Sequence, residues 1–275
     1  MRVPPMSHGF LANVGAAPER QVFDVPQQQR NTLSLAQATC SNSVMPILRR
    51  PTKKVLSASI SSCLGNGNRL IEETYDLEFR EPSATRLYLA MIAQEEFAKA
   101  FMLLLVRDEV IPFSAPILRA MNDHACKQLV GLIMDYVIMH WDAIDDLKAM
   151  FAEDSEMGEK FPADVGSALE LLRYEKIGRW EGKNWCWDVD PNYERTALGI
   201  AEGKQDRRKQ DALYVRIVKD GRVASLPDQF TEQHAKVEIE KANRYGQLVA
   251  AATEGESLTY RYEKAISAFK MLFAG

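Results

Sequence analysis

The chain lacks the residue patterns that build most metal, disulfide and phosphate-binding sites. Its four cysteines share no short spacing, so neither a zinc site nor a disulfide framework is indicated, and reduced thiols are expected. Gly-rich phosphate loops, G-x-S-x-G and C-x-x-C motifs are absent. The E-x-x-H pairs that hold di-iron centres in helical bundles are absent too. The sequence therefore predicts no cofactor and no metal. The cysteines are Cys40, Cys63, Cys126 and Cys186.

The chain also has no uninterrupted hydrophobic run and no excess of basic charge. Its most apolar stretch, Leu87 to Val106, contains Glu95, Glu96 and Lys99, which exclude a simple membrane-spanning helix. The net charge of −4 lacks the basic footprint of a constitutive nucleic-acid-binding protein. An apolar content of 46% and a charged content of 26% are typical of a globular protein. We expect a cytoplasmic protein with no membrane partner.

The first 54 residues differ from the rest of the chain. They contain six of the 12 prolines and carry a net charge of +5, whereas the remainder carries −9. They show no periodic apolar pattern, which predicts a flexible N-terminal extension over residues 1–54. A targeting segment is a weaker alternative, because no apolar region with a cleavage site is present. Whether residues 1–54 belong to the native translated start is left open.

From Val55 onward the chain is predicted to be mostly helical. Apolar residues recur at helical spacing, and Ser83 is a good N-cap after the break at Pro82. A β-hairpin is predicted near residues 212–225. The fold class is therefore all-α with one small hairpin, in three parts: the N-terminal extension, a helical core over residues 55–182 and a C-terminal helical extension over residues 183–275. The predicted helices span about 56–77, 83–107, 118–153, 163–180, 192–210, 231–254 and 258–273.

A charged group interrupts the apolar central helix. Glu95 and Lys99 lie four residues apart, and Glu96 and Lys99 three apart, so either pair can meet on a helix surface. A solvated surface ion pair is one interpretation. The apolar neighbours favour burial, and a buried charge costs several kcal/mol unless a partner is present. We therefore expect a second helix to bring Arg, Lys or His to these carboxylates.

A second motif places Arg119 and His124 near the start of the next helix, with Lys127 one turn beyond. Arginine carries a fixed charge suited to a phosphate, and histidine can transfer protons near neutral pH. Cleavage of RNA through its own 2′-hydroxyl needs one group to remove the hydroxyl proton and another to neutralise charge on phosphorus. The R-x4-H spacing alone has low specificity.

Three further groups of residues each have a structural and a functional interpretation. A basic run could contact an RNA backbone or simply end a helix in solvent. A histidine followed by aspartates could bind a metal, but a solvated acidic helix face is the better interpretation. A tryptophan-rich stretch could stack bases, although packing at a lid or interface is favoured. These groups are Lys204, Arg207, Arg208 and Lys209; His140, Asp142, Asp145 and Asp146; and Trp180, Trp185 and Trp187.

The order of these motifs resembles the HEPN superfamily, and within it the AbiV abortive-infection family. The motifs are A-x-E-E-x-x-K-A from Ala93, R-x4-H from Arg119 continuing as H-x-x-K-Q, and K-x-x-x-L-Y-V from Lys209 followed by Pro227. The resemblance spans roughly residues 57–250. Each motif is moderately specific, and their order and spacing together carry the resemblance.

The resemblance implies a four-helix core that pairs with a second copy of itself. It also implies an anti-phage effector that cleaves RNA without metal and so arrests growth or translation. Arg119 would stabilise the phosphorane and His124 would transfer a proton or position the 2′-hydroxyl, leaving a 2′,3′-cyclic phosphate and a 5′-hydroxyl. RNA would be the substrate, and a phage-encoded trigger or an antitoxin would be further partners. Supporting residues would be Glu95, Glu96, Lys99, Asn122, Asp123 and Lys127.

The residue after Arg119 departs from the pattern of active HEPN nucleases. Those proteins usually have a polar Asn, Asp or His there, and this chain has Ala120. A second hypothesis is therefore a non-catalytic HEPN module that binds a nucleotide, RNA or a phage protein. A third is a helical scaffold without a polar cleft, which predicts Arg119 and His124 on unrelated faces.

Overall fold

The chain folds as helices joined mostly by short turns, with one small antiparallel sheet. A computed structural model describes residues 49–139, 161–183, 187, 191–254 and 263–273. The predicted helical fold with one hairpin is confirmed. No helix in the described ranges is long and apolar enough to cross a membrane. The elements are α1 Lys53–Asp76, α2 Ala84–Arg107, α3 Ala115–Asn122, α4 His124–Met139, α5 Ala163–Glu170, α6 Arg195–Ala201, α7 Lys204–Asp211, β1 Arg216–Ile217, β2 Val223–Ser225, α8 Glu232–Thr253 and α9 Glu263–Phe273.

Helix α2 lies at the centre of the core and packs chiefly against α1 and α8. Its Phe97 is 1% exposed and contacts backbone at two glycines. A Cβ added at Gly67 of α1 would overlap the Phe97 ring, and one added at Gly246 of α8 would lie 3.0 Å from it. The Gly65-Asn66-Gly67 sequence lies within the continuous helix α1, although glycine disfavours helix formation. The missing side chain at Gly67 is what lets the two helices approach.

The predicted single helix from 118 to 153 is wrong at its beginning. The chain leaves the helical conformation at Asp123, which has extended backbone angles and separates α3 from α4. Asp123 Oδ1 accepts the N–H of Cys126 at 2.9 Å, so this aspartate caps the start of α4. The portion beyond 139 lies outside the described residues. Arg119 and His124 consequently belong to two different helices.

The predicted helix over 192–210 is also divided. Gly203 has a positive φ of 80°, and α6 ends just before it while α7 begins just after it. The predicted helix over 163–180 is confirmed in extent, with α5 continuing as a π-helical segment over Leu171–Gly178.

The hairpin is shorter than predicted, with β1 and β2 joined by a turn in which Gly221 has a φ of 83°.

Helix α8 confirms the prediction of a helix after Thr231. The Thr231 backbone N–H donates to His234 Nδ1 at 3.2 Å, and the helix ends at Thr253. Its Tyr245 and Leu248 belong to the same hydrophobic core as Phe97. Helix α8, which lies beyond residue 183, therefore supplies one of the central helices of the core. Of the predicted extension, residues 1–48 lie outside the described ranges, and α1 already begins at Lys53.

Candidate active site

Three helices bring a cluster of ionisable side chains together at one edge of the core. Helix α2 supplies Glu95 and helix α4 supplies three members of the cluster. Helix α7 supplies Lys209 and its neighbour in the helix, Asp206. The Asp123 cap decides the contribution of α4, because it places His124 at the first helical residue and the next two members one turn further on. Those two members are Lys127 and Gln128.

The Glu95 carboxylate lies at the centre of this cluster and is 3% exposed. Its Oε2 lies 2.6 Å from His124 Nδ1 and 2.9 Å from Lys127 Nζ. Its Oε1 accepts from Lys209 Nζ at 2.7 Å and from Gln128 Nε2 at 3.1 Å. The expectation that a second helix brings Arg, Lys or His to the α2 carboxylates is confirmed for Glu95 by the contacts with His124 and Lys127 of α4.

The surroundings of Glu95 keep it ionised. Burial by itself raises the pKa of a carboxyl group, but the charge of Lys127 and the hydrogen bond from Lys209 outweigh it. The net effect lowers the pKa of Glu95 to about 2. A buried carboxylate with two lysines is therefore a permanent negative charge beside His124 over the physiological pH range.

The imidazole of His124 has one buried edge and one open edge. Nδ1 faces Glu95, and the side chain is 51% exposed. A carboxylate on one ring nitrogen fixes the orientation of the ring and leaves the other nitrogen for a ligand. Nε2 is therefore the atom of His124 that can exchange a proton with a bound molecule.

Arg119 lies on the other side of the Asp123 break and is exposed. Its guanidinium carbon lies 4.5 Å from the centre of the Trp180 ring, which is a cation–π contact. Trp180 is partly buried and follows the π-helical segment. The tryptophan therefore limits the freedom of the guanidinium while leaving its N–H donors available.

Of the other two tryptophans of the predicted group, the structure describes one. The ring centre of Trp187 lies 5.3 Å from that of Tyr174 in an edge-to-face contact, and Trp185 lies outside the described residues.

Four of the predicted supporting residues have local contacts of their own. Glu96 and Lys99 form a partly buried ion pair of 2.6 Å with each other. Asn122 donates to the Leu118 carbonyl at 2.9 Å, and Asp123 caps α4. Their contacts are structural, and a role of these four residues in chemistry stays a prediction.

The predicted basic run does not form a single surface. Lys209 is 3% exposed and pairs with Asp206 at 2.7 Å as well as with Glu95. Arg208 pairs with Glu238, a buried carboxylate that also accepts from Gln94 Nε2 at 2.9 Å. The helical period leaves the two remaining cations outside: Lys204, which pairs with Glu202 at 3.3 Å, and Arg207, which is exposed.

Sequence reasoning missed two members of the cluster. Gln128 and Asp206 were not predicted as site residues, and the two interpretations given for Lys209, contact with an RNA backbone or a solvated helix end, both placed it at the surface, whereas its side chain is buried. Two signals were present: Gln128 closes the H-x-x-K-Q motif, and Asp206 lies three residues before Lys209 on one helix face.

Donor atoms of Glu95, His124 and Asp206 lie within 4.8 Å of one another, which is close enough for a metal ion. Lys209 Nζ lies among them, 2.7 Å from both carboxylates and 3.1 Å from His124 Nδ1. Burial lowers the pKa of Lys209, but the hydrogen bonds that its ammonium group donates to Asp206 and Glu95 raise that pKa above its usual value. An ammonium group therefore supplies the positive charge at this position, and these residues do not fit a divalent cation. The predicted acidic group at 140–146 lies outside the described residues.

A family model described as AbiV, of the HEPN type, matches residues 55–247. This chain belongs to the AbiV family of HEPN proteins. The match extends from α1 into α8 and includes every residue of the Glu95 cluster. It assigns the chain an abortive-infection HEPN domain. No curated protein and no solved structure matches the chain.

Proposed function

We propose that this AbiV-family protein is a cytoplasmic anti-phage effector that cleaves RNA at the His124 site without a metal ion. The observation that carries the proposal is the half-exposed imidazole of His124, held at Nδ1 by the buried carboxylate of Glu95. Oriented imidazoles of this kind are typical of general acid–base sites. The AbiV family match supplies the biological setting of abortive infection.

In the proposed reaction, His124 Nε2 takes the proton of an RNA 2′-hydroxyl. The 2′-oxygen attacks phosphorus, the bond from phosphorus to the 5′-oxygen breaks, and the proton that His124 accepted is delivered to the departing oxygen. The products are a 2′,3′-cyclic phosphate and a 5′-hydroxyl. Glu95 stabilises the imidazolium that forms when the ring accepts the proton. Because its pKa is about 2, the carboxylate stays charged throughout.

Arg119 would neutralise the charge that develops on the phosphorane. Its fork of donors can grip two phosphate oxygens, and the contact with Trp180 holds the guanidinium in place. One Arg119 and one His124 supply few contacts to a phosphodiester, so the active form would be a homodimer with α2, α3 and α4 at or near its interface. Light scattering at micromolar protein should give twice the chain mass; full activity from a monomer would contradict this.

Ala120 favours a second candidate function. Its side chain is fully buried, so the position after Arg119 contributes no polar group to the site. The next polar residues, Asn122 and Asp123, already bond to the backbone of α3 and of α4. The protein would then bind RNA, a nucleotide or a phage protein at the same site without cleaving RNA. A phage-encoded trigger or an antitoxin would act on either form.

Expression of the wild type beside His124→Ala tests the two candidates. Growth and total RNA integrity are followed together, and Arg222→Ala, which changes an exposed hairpin arginine, serves as the control. The nuclease proposal expects RNA cleavage and growth arrest from the wild type and the control, and neither from His124→Ala. Cleavage that survives in His124→Ala would overturn the mechanism. Growth arrest and RNA binding with intact RNA would favour the binding module.

A further inference from the structure

Two lysines contact the same carboxylate but differ in what else they touch. Lys127 Nζ lies 2.9 Å from Glu95 Oε2, and Lys209 Nζ lies 2.7 Å from Glu95 Oε1. Both side chains are buried. Lys209 alone of the two also has a contact with His124, at 3.1 Å from Nδ1. Nδ1 of His124 therefore has two competing partners.

These two partners require opposite protonation states of the same atom. A carboxylate has only lone pairs, so Glu95 bonds Nδ1 when the proton is there. A lysine ammonium has only donors, so Lys209 bonds Nδ1 when the proton is absent. In the neutral ring, the first state leaves Nε2 bare and the second places the proton on Nε2. Each neutral tautomer of His124 thus has a hydrogen-bond partner inside the protein.

We propose that Lys209 is a positioning residue that, together with Glu95, keeps both neutral tautomers of His124 populated. The catalytic role of the two tautomers rests on the proposed function. An unprotonated Nε2 can take the 2′-hydroxyl proton, and a protonated Nε2 can give a proton to the leaving 5′-oxygen. Lys209 is delivered by α7, well away in sequence from the Arg119 and His124 motif. Its ammonium group faces inward to Glu95, Asp206 and His124 and is unavailable to an RNA backbone.

The charged groups around the ring come from three helices. Glu95 comes from α2, Lys127 from α4, and Lys209 with Asp206 from α7. When Lys209 is removed, Glu95 is the one of these charged groups that still contacts His124 Nδ1, so the proton should settle on Nδ1. Removing Lys127 also takes away one lysine charge beside Glu95, but it leaves both partners of Nδ1 in place. Lys127→Met is therefore the matched control for Lys209→Met.

Nitrogen-15 NMR of the histidine rings tests this inference on the full chain without RNA. The spectra are recorded at a pH above the end of the His124 titration, and the His124 signals are identified by their loss in His124→Ala. In the wild type, Nδ1 and Nε2 should both have shifts between the protonated and unprotonated limits. In Lys209→Met, Nδ1 should move to the protonated limit and Nε2 to the unprotonated limit. In Lys127→Met both nitrogens should stay intermediate, and His234, at the start of α8, should not change in either variant.

A wild-type ring already at one limit would overturn the inference, and this result needs neither lysine variant to fold. Equal changes in Lys209→Met and Lys127→Met would also overturn it, since they would reflect only the lost charge. Lys209→Arg keeps a donor and a charge and should resemble the wild type. Failure of the proposed function is a separate outcome, because a wild type that cleaves no RNA leaves the tautomer measurement unaffected.

Discussion

Glu95 of α2 and His124 of α4 meet at 2.6 Å although 29 residues separate them in the sequence. The contact joins a buried carboxylate to a half-exposed imidazole, so a charge inside the core sets the orientation of a ring at the surface. Lys127 and Lys209 balance that charge from two further directions. The site is therefore part of the packing of the bundle.

Glu95→Gln should destabilise the fold strongly. The amide would leave Lys127 and Lys209 buried without their shared carboxylate, and breaking a buried pair in this way costs about 3–5 kcal/mol. Urea unfolding followed by circular dichroism measures the change. Glu96→Gln is the control, because it removes a neighbouring charge whose partner Lys99 is 24% exposed. Equal losses from the two substitutions would show that Glu95 has no special place in the core.

Stability should fall at acid pH through Glu95. Its pKa is about 2 in the folded chain against an ordinary 4.5, so its ionised form favours the folded state. The stabilisation is complete above pH 4.5 and is lost as the pH falls toward 2, and it amounts to about 3 kcal/mol. The free energy of unfolding is measured from pH 7 to pH 2 in the wild type and Glu95→Gln. A pH dependence that is the same in both proteins would contradict the prediction.

Gly67→Ala should destabilise the protein even though alanine is the better helix former. Its Cβ would overlap the Phe97 ring, and overpacking of this kind costs about 1–3 kcal/mol. Gly65→Ala is a matched control, since nothing lies within 4 Å of the added Cβ. That change should stabilise by up to about 1 kcal/mol through helix propensity. Thermal unfolding of the two variants should therefore shift in opposite directions.

Arg119→Lys should lower RNA cleavage at least tenfold although the charge is kept. Lysine lacks the fork of donors that holds two phosphate oxygens. It also lacks the planar guanidinium that lies over the Trp180 ring. The ratio kcat/KM is measured on a defined RNA, with Arg222→Lys as the control. Wild-type cleavage by Arg119→Lys would show that only a point charge is needed at this position.

RNA cleavage should survive a chelator and weaken with salt. Lys209 supplies the positive charge among the Glu95, Asp206 and His124 donors, and Arg119 would supply it at phosphorus. An acidic chain has only local basic groups to hold phosphates, and these are screened as ionic strength rises. Initial rates are measured with and without EDTA from about 50 to 300 mM salt. Loss of cleavage in EDTA that is restored by magnesium or manganese would contradict the mechanism.

Local signals in the sequence were sufficient for several elements and for one contact of the site. The apolar run with a break before it predicted α2, and Thr231 predicted the start of α8, because capping and periodicity act within a few residues. Charges within the apolar run predicted that Glu95 needs a partner, because a lone buried charge is too costly. The R-x4-H and H-x-x-K-Q motifs contain that partner, and the order and spacing of all the motifs carried the resemblance to the family.

Only the tertiary structure decided which residues of these helices are buried and which of them meet at the site. Helix α7 is so rich in charge that its sequence does not distinguish an inner face, and its packing near α2 and α4 turns Lys209 inward. Asp123 breaks the helix because its side chain caps α4, although apolar residues recur at helical spacing on both sides of it. Gly67 is favourable only because Phe97 lies against it. Helix capping and periodicity are local properties, whereas the choice of buried face depends on neighbours that are distant in the sequence.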